Sequence, residues 1–332
     1  MFRYLLLKYE KENLIKFLKE FDLRYEEDIE YALVYEENDE IKACACISGN
    51  IVKCIAIDKS LQGNNFSATL LSQIADKLRE LNINEYFIFT KPCNAKIFSN
   101  LGLYLLCKTP DIALFENTKL NYEKYKFDLE KHYKKANKIG AIVMNLNPMS
   151  KGHLYLIKEA LKQCDILHIF ILSEDLSMFS TDARIQIAKN ELKEYKNIII
   201  HESKNYIISK ATFPTYFLKD SADINEVYSR LDITLFATKI APILGINIRF
   251  FGSEPNDKIT NDYNEKAKEI LKEFEIGFCE VPRLEINNEV VSASRIRKII
   301  LNDKDYLNNE ELQLLCTNST YEYLKNNLIT KN

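Results

Sequence analysis

Residues 139–164 pass from an apolar run through a short polar loop into an amphipathic helix. The apolar run is bounded by turn residues, which is typical of a strand buried on both faces. Asn147-Pro148 ends this strand, and Ser150 is placed to cap the helix. Gly152 lets the backbone approach a ligand, and His153 falls in the first helical turn, where free N–H groups favour an anion. The stretch therefore predicts a strand, a phosphate-binding loop and a helix.

A second stretch, residues 290–300, again runs from an apolar segment through hydroxyl side chains into a helix. Ser292, Ser294 and Arg297 lie near the start of that helix, where they would point at phosphate oxygens. Either stretch alone also fits an ordinary turn before a helix. Two such helix starts in one domain favour a triphosphate ligand.

These two stretches resemble the paired signatures of the nucleotidyltransferase superfamily. Its T/H-x-G-H loop corresponds to Ser150 through His153, and its I-S-S-T-x-x-R segment corresponds to Val291 through Arg297. Within that superfamily the chain resembles the citrate lyase ligases more closely, and this resemblance extends through residues 170–184, 205–220 and 249–264. The resemblance implies a ligase that uses ATP and Mg²⁺.

The resemblance implies that acetate attacks the α-phosphorus of ATP and that pyrophosphate leaves. His153 and Ser150 would donate hydrogen bonds to phosphate oxygens, while Arg297, Ser292 and Ser294 would hold the β- and γ-phosphates with Mg²⁺. The acetyl group of the acetyl-adenylate would then pass to the prosthetic-group thiol of the citrate lyase acyl carrier subunit, releasing AMP. Ser150 stands where the wider superfamily has His, which removes one potential cation from the α-phosphate.

Further candidate site residues follow from the same resemblance and from turn chemistry. Besides Ser292 and Ser294, the predicted ATP-binding residues are Asn147, Gly152, Arg184, Gly252, Ser253 and Glu254. A small apolar acetate pocket is predicted around Phe213 and Tyr216. Two other functions remain open. The first is that of another adenylyl- or cytidylyltransferase with the same sheet, which would transfer the nucleotide to a phosphorylated acceptor. The second is acetyl transfer from acetyl-CoA by the N-terminal domain.

The pattern of elements predicts an α/β protein with two domains. From residue 139 onward, apolar strands alternate with helices, which favours a Rossmann-like, doubly wound parallel sheet with ligands at the carboxyl ends of its strands. We therefore predict a nucleotidyltransferase domain over 139–332. Residues 117–138 are rich in charge and predict a loosely packed linker helix. The C-terminal segment 310–328 has helical spacing and predicts a packing or oligomer surface.

Residues 1–116 predict a separate mixed α/β domain. A strand, a loop with Gln62 and Gly63 and a helix resemble the acyl-CoA pyrophosphate loop of the GNAT acetyltransferases. The expected glycine and small residue of that loop are Asn65 and Ser67 here, so CoA binding remains open. The chain has few glycines and many asparagines, and we expect Asn to replace Gly at some turns.

Composition restricts the other function classes. A net charge of −3 provides no basic field for nucleic acid. The eight cysteines lie mostly in apolar segments without a C-x-x-C pair, which favours reduced core thiols and the cytoplasm. No apolar run reaches membrane-spanning length, so we expect a soluble protein. His168 and His201 lie in predicted strands and are expected to be structural, and His132 to be solvated.

Overall fold

The computed structural model describes residues 1–62, 65–173, 177–208, 213–218, 223–254 and 258–327. The chain divides into two compact units: Met1–Phe127 with Thr212–Leu231, and Asp128–Ala211 with Asp232–Asn332. The sequence predicted a continuous division at residues 116 and 138. The structure differs because residues 213–218 belong to the first unit, where Phe213, Tyr216, Phe217 and Leu218 are buried.

The first unit is built on a sheet with the strand order β1-β2-β3-β4-β5-β7-β6. Its strands are β1 (Phe2–Tyr4), β2 (Tyr31–Glu37), β3 (Glu40–Ser48), β4 (Ile51–Ile57), β5 (Phe87–Thr90), β6 (Tyr104–Lys108) and β7 (Ala113–Glu116). Its helices include α1 (Leu7–Lys19), α2 (Phe66–Glu80) and α3 (Ala95–Asn100). All the strand pairs are antiparallel except β4 with β5. The prediction of a GNAT-like α/β fold is confirmed.

Helix α4 (Lys119–Glu130) occupies the predicted linker. Three of its side chains, Tyr122, Tyr125 and Leu129, are buried. They recur at the spacing of one helical face, so the helix buries an apolar stripe despite its high charge. The Tyr122 ring stacks on that of Tyr104 with 6.0 Å between the centroids. The helix lies within the range predicted for it, but the prediction that it packs loosely was wrong.

The second unit contains a parallel sheet with the order β10-β9-β8-β11-β12. Its strands are β8 (Ile139–Met144), β9 (Ile166–Ile171), β10 (Ile198–Glu202), β11 (Ile248–Gly252) and β12 (Gly277–Val281). The order reverses at β8, which has β9 on one side and β11 on the other. Ligands of such sheets bind in the crevice at the carboxyl ends of the strands beside this reversal. The Rossmann-like prediction is confirmed.

Helices and a short hairpin complete the second unit. They are α5 (Lys151–Leu161), α6 (Thr181–Leu192), α7 (Ile224–Lys239, which begins in the first unit), α8 (Ala241–Leu244), α9 (Lys258–Glu273), hairpin strands β13 (Glu285–Ile286) and β14 (Glu289–Val290), α10 (Ala293–Asn302), α11 (Glu310–Leu315) and α12 (Asn318–Asn326). The core against β8 requires a glycine, since a Cβ on Gly140 would lie 2.7 Å from the Phe250 ring. Among the described residues, no helix is long and apolar enough to cross a membrane.

Two of the histidines form a buried pair across β9 and β10. His168 Nδ1 and His201 Nε2 are 2.8 Å apart, and the rings are nearly parallel. Burial lowers the pKa of His168 to about 4 and that of His201 to about 3. Both imidazoles are therefore neutral at pH 7, which agrees with the structural role predicted for them. His132 is exposed, with its ring beside that of His201.

This pair makes the stability of the protein dependent on pH. The folded-state pKa values lie below the ordinary value of 6.5, so the unfolded chain takes up protons first as the pH falls. Stability is full above about pH 6.5 and is lost toward pH 4. We expect His201→Gln to reduce the difference in unfolding free energy between pH 7.5 and pH 5 by roughly 2 kcal/mol. Urea titrations at both pH values measure this difference.

His132→Gln is the matched control, because it replaces an exposed imidazole beside the same pair. It should retain most of the pH dependence, because burial lowers both pKa values more than the charge of His132 does. An unchanged pH dependence in His201→Gln would show that the buried pair does not control acid stability.

Candidate active site

The connection between β8 and α5 orients the His153 imidazole. Ser150 is the N-cap of α5, and its Oγ accepts a hydrogen bond from the His153 backbone N–H at 3.3 Å. In return, the Ser150 backbone N–H donates to His153 Nδ1 at 3.0 Å. Because Nδ1 acts as an acceptor, the proton of the neutral ring lies on Nε2. The capping box thus leaves an Nε2–H donor for a ligand.

The electrostatics keep this imidazole neutral. The side chain is half-buried, and burial together with the nearby charges of Arg283 and Arg297 lowers the pKa of His153 to about 4. At neutral pH the ring is therefore a hydrogen-bond donor without a positive charge. The cations of the site come from the two arginines.

The two helix starts predicted to share a ligand lie against each other. A Cβ added to Gly152 would lie 2.8 Å from the Val291 carbonyl oxygen, so only glycine allows this approach. From the second helix, Arg297 Nη1 donates to the Asn147 carbonyl oxygen at 2.5 Å. The structure therefore brings both signatures to one place at the carboxyl end of β8.

A cavity of about 570 Å³ opens beside the start of α10. Ser292 caps this helix by accepting from the Arg295 N–H, and its Oγ lies 2.9 Å from that of Ser294. Both serines line the cavity, together with Glu254 and Arg283. The lining carries three carboxylates and two guanidiniums besides these hydroxyls, and its hydroxyls and guanidiniums are groups that suit phosphate oxygens.

The turn after β11 contributes to the same cavity. Glu254 forms an ion pair with Arg283, and Arg283 Nε donates to the Ser253 carbonyl oxygen at 3.0 Å. Gly252 accepts from Asn264 Nδ2 at 3.0 Å. The predicted residues Gly252, Ser253 and Glu254 are thus assembled near the second helix start.

Sequence reasoning missed Arg283. This residue lies in the connection between β12 and β13, outside both signatures. Its position shortly before the second signature could have indicated it, because the chain between β12 and that signature must return to the carboxyl end of the sheet. Its charge acts on His153, and its side chain lines the cavity.

Arg184 was predicted to bind the nucleotide, and the structure assigns it a different role. Its side chain is fully buried. Nε donates to the Phe179 carbonyl, and Nη1 donates to the carbonyls of Asn145 and Leu172. Nη2 donates to Thr181 Oγ1. Arg184 therefore holds the loops that follow β8 and β9, and this packing gives no support to the predicted contact with ATP.

Asn147 and Ser150 also act within the protein. Asn147 Oδ1 accepts from the Phe179 N–H at 3.1 Å. Ser150 is 1% exposed, and its Oγ is committed to the cap of α5. A direct Ser150 contact with phosphate is not supported, because the hydroxyl is buried. Ser150 is a positioning residue for His153.

The C-terminal helices support this loop from behind. Thr320 and Thr317 each donate through Oγ1 to the Met149 carbonyl oxygen, at 2.7 and 3.3 Å. Lys151 Nζ donates to the Gln313 carbonyl. The segment predicted only to pack therefore fixes the residue before the α5 cap.

The predicted acetate residues belong to the first unit. The Phe213 ring lies 6.0 Å from that of Phe89, and the Tyr216 hydroxyl donates to the Phe89 carbonyl at 2.5 Å. Both side chains are buried by this packing. The structure therefore does not support an acetate pocket formed by these two side chains.

The predicted CoA loop is described only in part. Gly63 lies outside the described residues, whereas Gln62, Asn65 and Ser67 lie at the end of the β4 connection and the start of α2. Asn65 has a φ of +54°, as expected if Asn replaces Gly at this turn. CoA binding at this loop remains a prediction.

A Rossmann-like sheet with two helix starts around a neutral imidazole defines a nucleotidyltransferase-type unit. The model of the citrate lyase ligase C-terminal domain matches residues 139–324. The chain is 39% identical over 294 residues to the citrate (pro-3S)-lyase ligase of Klebsiella pneumoniae, covering 87% of this chain and 86% of that protein. It is 40% identical over 289 residues to the ligase of the same name from Haemophilus influenzae, covering 85% and 86%. The chain belongs to the citrate lyase ligase family.

A solved structure with a related fold is the putative nicotinate-nucleotide adenylyltransferase from Vibrio parahaemolyticus. It is 18% identical and has a TM-score of 0.37, covering 57% of this chain and 99% of that chain.

The capping role of Ser150 is testable. Ser150→Ala removes the oxygen that caps α5, and we expect the unfolding free energy to fall by about 1 kcal/mol. The KM for ATP should rise as well, because the His153 ring loses one of its constraints. Ser150→Thr keeps the oxygen and should behave as the wild type. Urea unfolding and steady-state kinetics check both effects, and equal stability of Ala and Thr variants would contradict the cap.

Proposed function

We propose that the second unit binds ATP with its phosphates between the starts of α5 and α10 and activates acetate as acetyl-adenylate. The acetyl group then passes to the thiol of the prosthetic group on the citrate lyase acyl carrier subunit. The contact between the two helix starts, through Gly152 and Arg297, is the observation that supports this proposal. The family relationship supports the choice of acetate and carrier thiol.

The proposed chemistry needs little covalent participation by the protein. An acetate oxygen forms a bond to the α-phosphorus, and the bond to pyrophosphate breaks. The His153 Nε2–H, Arg297 and Arg283 would stabilise the charge that builds on the phosphates. The carrier thiol then attacks the acetyl carbonyl, and the bond to AMP breaks.

Two of the three cysteines of the second unit, Cys164 and Cys316, are buried and do not suit the role of nucleophile. Burial raises the pKa of Cys164 to about 11 and that of Cys316 to about 12. Such thiols are not ionised at neutral pH. This favours transfer to a partner thiol, and it agrees with an enzyme that works in the reducing cytoplasm.

Mg²⁺ would arrive with the nucleotide. In the part of the chain that the structure describes, no group of three or more His, Cys, Asp or Glu side chains is placed to hold a metal ion. Glu254, the carboxylate beside Ser253, is already paired with Arg283. The described side chains therefore do not fit a resident metal, and Mg²⁺ would enter the site as the counter-ion of ATP.

The proposal predicts acetate-dependent exchange between pyrophosphate and ATP. We expect His153→Ala to reduce the exchange rate by at least about 100-fold, because a hydrogen-bond donor to the transition state is lost. His132→Ala removes an exposed imidazole and should retain full activity. Nucleotide transfer to a phosphorylated acceptor would give no dependence on acetate. Near-normal exchange by His153→Ala would remove this residue from the mechanism.

Arg283 is expected to contribute charge to the same site. Arg283→Gln should weaken ATP binding by on the order of tenfold, as for the loss of one charge-assisted hydrogen bond. It should also raise the pKa of His153, since one of the cations that lower it is gone. Isothermal titration calorimetry measures the first effect, and NMR titration of the His153 ring measures the second.

Arg283→Lys is the matched control, because it keeps the positive charge. It should leave the His153 pKa close to that of the wild type. If Gln and Lys variants shift this pKa equally, the charge of Arg283 is not what acts on the imidazole.

A further inference from the structure

The parallel strands β4 and β5 of the first unit separate after a short stretch of pairing. They pair at Ile51 with Phe87 and at Val52 with Ile88, although β4 continues to Ile57 and β5 to Thr90. In β4 the backbone of Cys54 turns into the left-handed region, with a φ of +55°. Edge N–H and C=O groups that leave a ladder need other partners. The gap between these strands therefore requires an occupant.

The chain supplies this occupant from residues 213–218. The Tyr216 hydroxyl donates to the Phe89 carbonyl of β5 at 2.5 Å. Tyr216 is 4% exposed. Its side chain is therefore bound directly to β5 at the point where β5 no longer pairs with β4.

Neighbouring contacts fix this segment in the gap. The Arg24 N–H donates to the Tyr216 carbonyl at 2.9 Å. The Thr215 N–H and Oγ1 both donate to Glu26 Oε1, at 2.7 and 2.8 Å. The other Glu26 oxygen accepts from Lys53 Nζ of β4 at 2.9 Å. The segment is therefore held by main-chain and side-chain bonds on both sides of Tyr216.

If the loop after β4 held the CoA pyrophosphate, the pantetheine chain would run along the unpaired edges of β4 and β5. The residues expected to contact the CoA pyrophosphate, Gln62, Asn65 and Ser67, follow β4 directly. A pantetheine chain is extended and carries amides, which bind free strand edges as an added strand does. We propose that Tyr216 takes the place of the pantetheine chain, so that the first unit excludes CoA and does not transfer acetyl groups from acetyl-CoA.

Calorimetric titration of the full-length protein with CoA tests this proposal. The wild type should show no binding at about 1 mM CoA, whereas Tyr216→Ala should bind at least tenfold more tightly, with a dissociation constant below about 100 μM. Tyr216→Phe keeps the ring in the gap and should still exclude CoA. Titrations with and without saturating ATP separate the two units, because CoA bound at the nucleotide site is displaced by ATP.

Two outcomes overturn the proposal: ATP-insensitive binding of CoA to the wild type as tight as to Tyr216→Ala, or no gain in Tyr216→Ala. These outcomes are independent of the ligase proposal, which is tested by exchange in the second unit. A protein that lacks exchange but gains CoA binding on Tyr216→Ala would refute only the ligase.

Cysteine labelling provides a readout that also reports on folding. Cys54 is fully buried, and its hydrogen bond with Cys46 and its burial raise the pKa of its thiol. N-ethylmaleimide should leave Cys54 unmodified in the wild type and modify it in Tyr216→Ala, with protection by CoA. Cys107, buried on β6, should stay unmodified in both proteins and would react if the variant were unfolded.

Thr215→Val is a milder variant for the case in which Tyr216→Ala does not fold. It removes one hydrogen bond to Glu26, and the labelling rate of Cys54 should rise about fivefold. An unchanged rate would show that these contacts do not keep the segment in the gap.

Discussion

The geometry of the nucleotide site depends on how the loop between β8 and α5 is held. Three side chains from other parts of the second unit each donate to a main-chain carbonyl of this loop: Arg184 to Asn145, Arg297 to Asn147 and Thr320 to Met149. Carbonyls bonded in this way cannot move without leaving buried donors unpaired, which costs about 1–3 kcal/mol each. Ser150 follows Met149 directly and caps α5, so these bonds also fix the start of α5 and the His153 ring.

This arrangement separates the residues that hold the site from those that would contact the ligand. Arg297 has both roles, because one of its N–H groups holds the Asn147 carbonyl while its charge acts on His153. Arg184 has only the first role, since its guanidinium is buried among carbonyls. A site whose contacting groups are positioned by other buried groups loses less free energy in ordering them when the ligand binds.

The sequence predicts the strands and the two signatures because apolar runs, caps and glycine act locally. The sequence does not show whether an arginine binds phosphate or a backbone carbonyl that is distant in the chain. Arg184 is the example, because its guanidinium donates to the Asn145 carbonyl. For the same reason, Phe213 and Tyr216 were assigned to a ligand pocket although their partner is Phe89 of the first unit. Contacts between distant segments are set by topology, which local patterns do not encode.

Arg283 bears on the loss of positive charge that Ser150 causes at position 150. Where the wider superfamily has His, the Ser150 hydroxyl supplies no positive charge, and its buried oxygen caps α5 instead. Arg283 and Arg297 both act on His153, so the site retains two cations beside a neutral donor. A polyphosphate with several negative charges is stabilised by the sum of nearby cations rather than by one particular residue. On the proposed function, the guanidinium from the β12–β13 connection would supply positive charge where that imidazole is missing, partly offset by its ion pair with Glu254, and the neutral His153 ring would donate through Nε2.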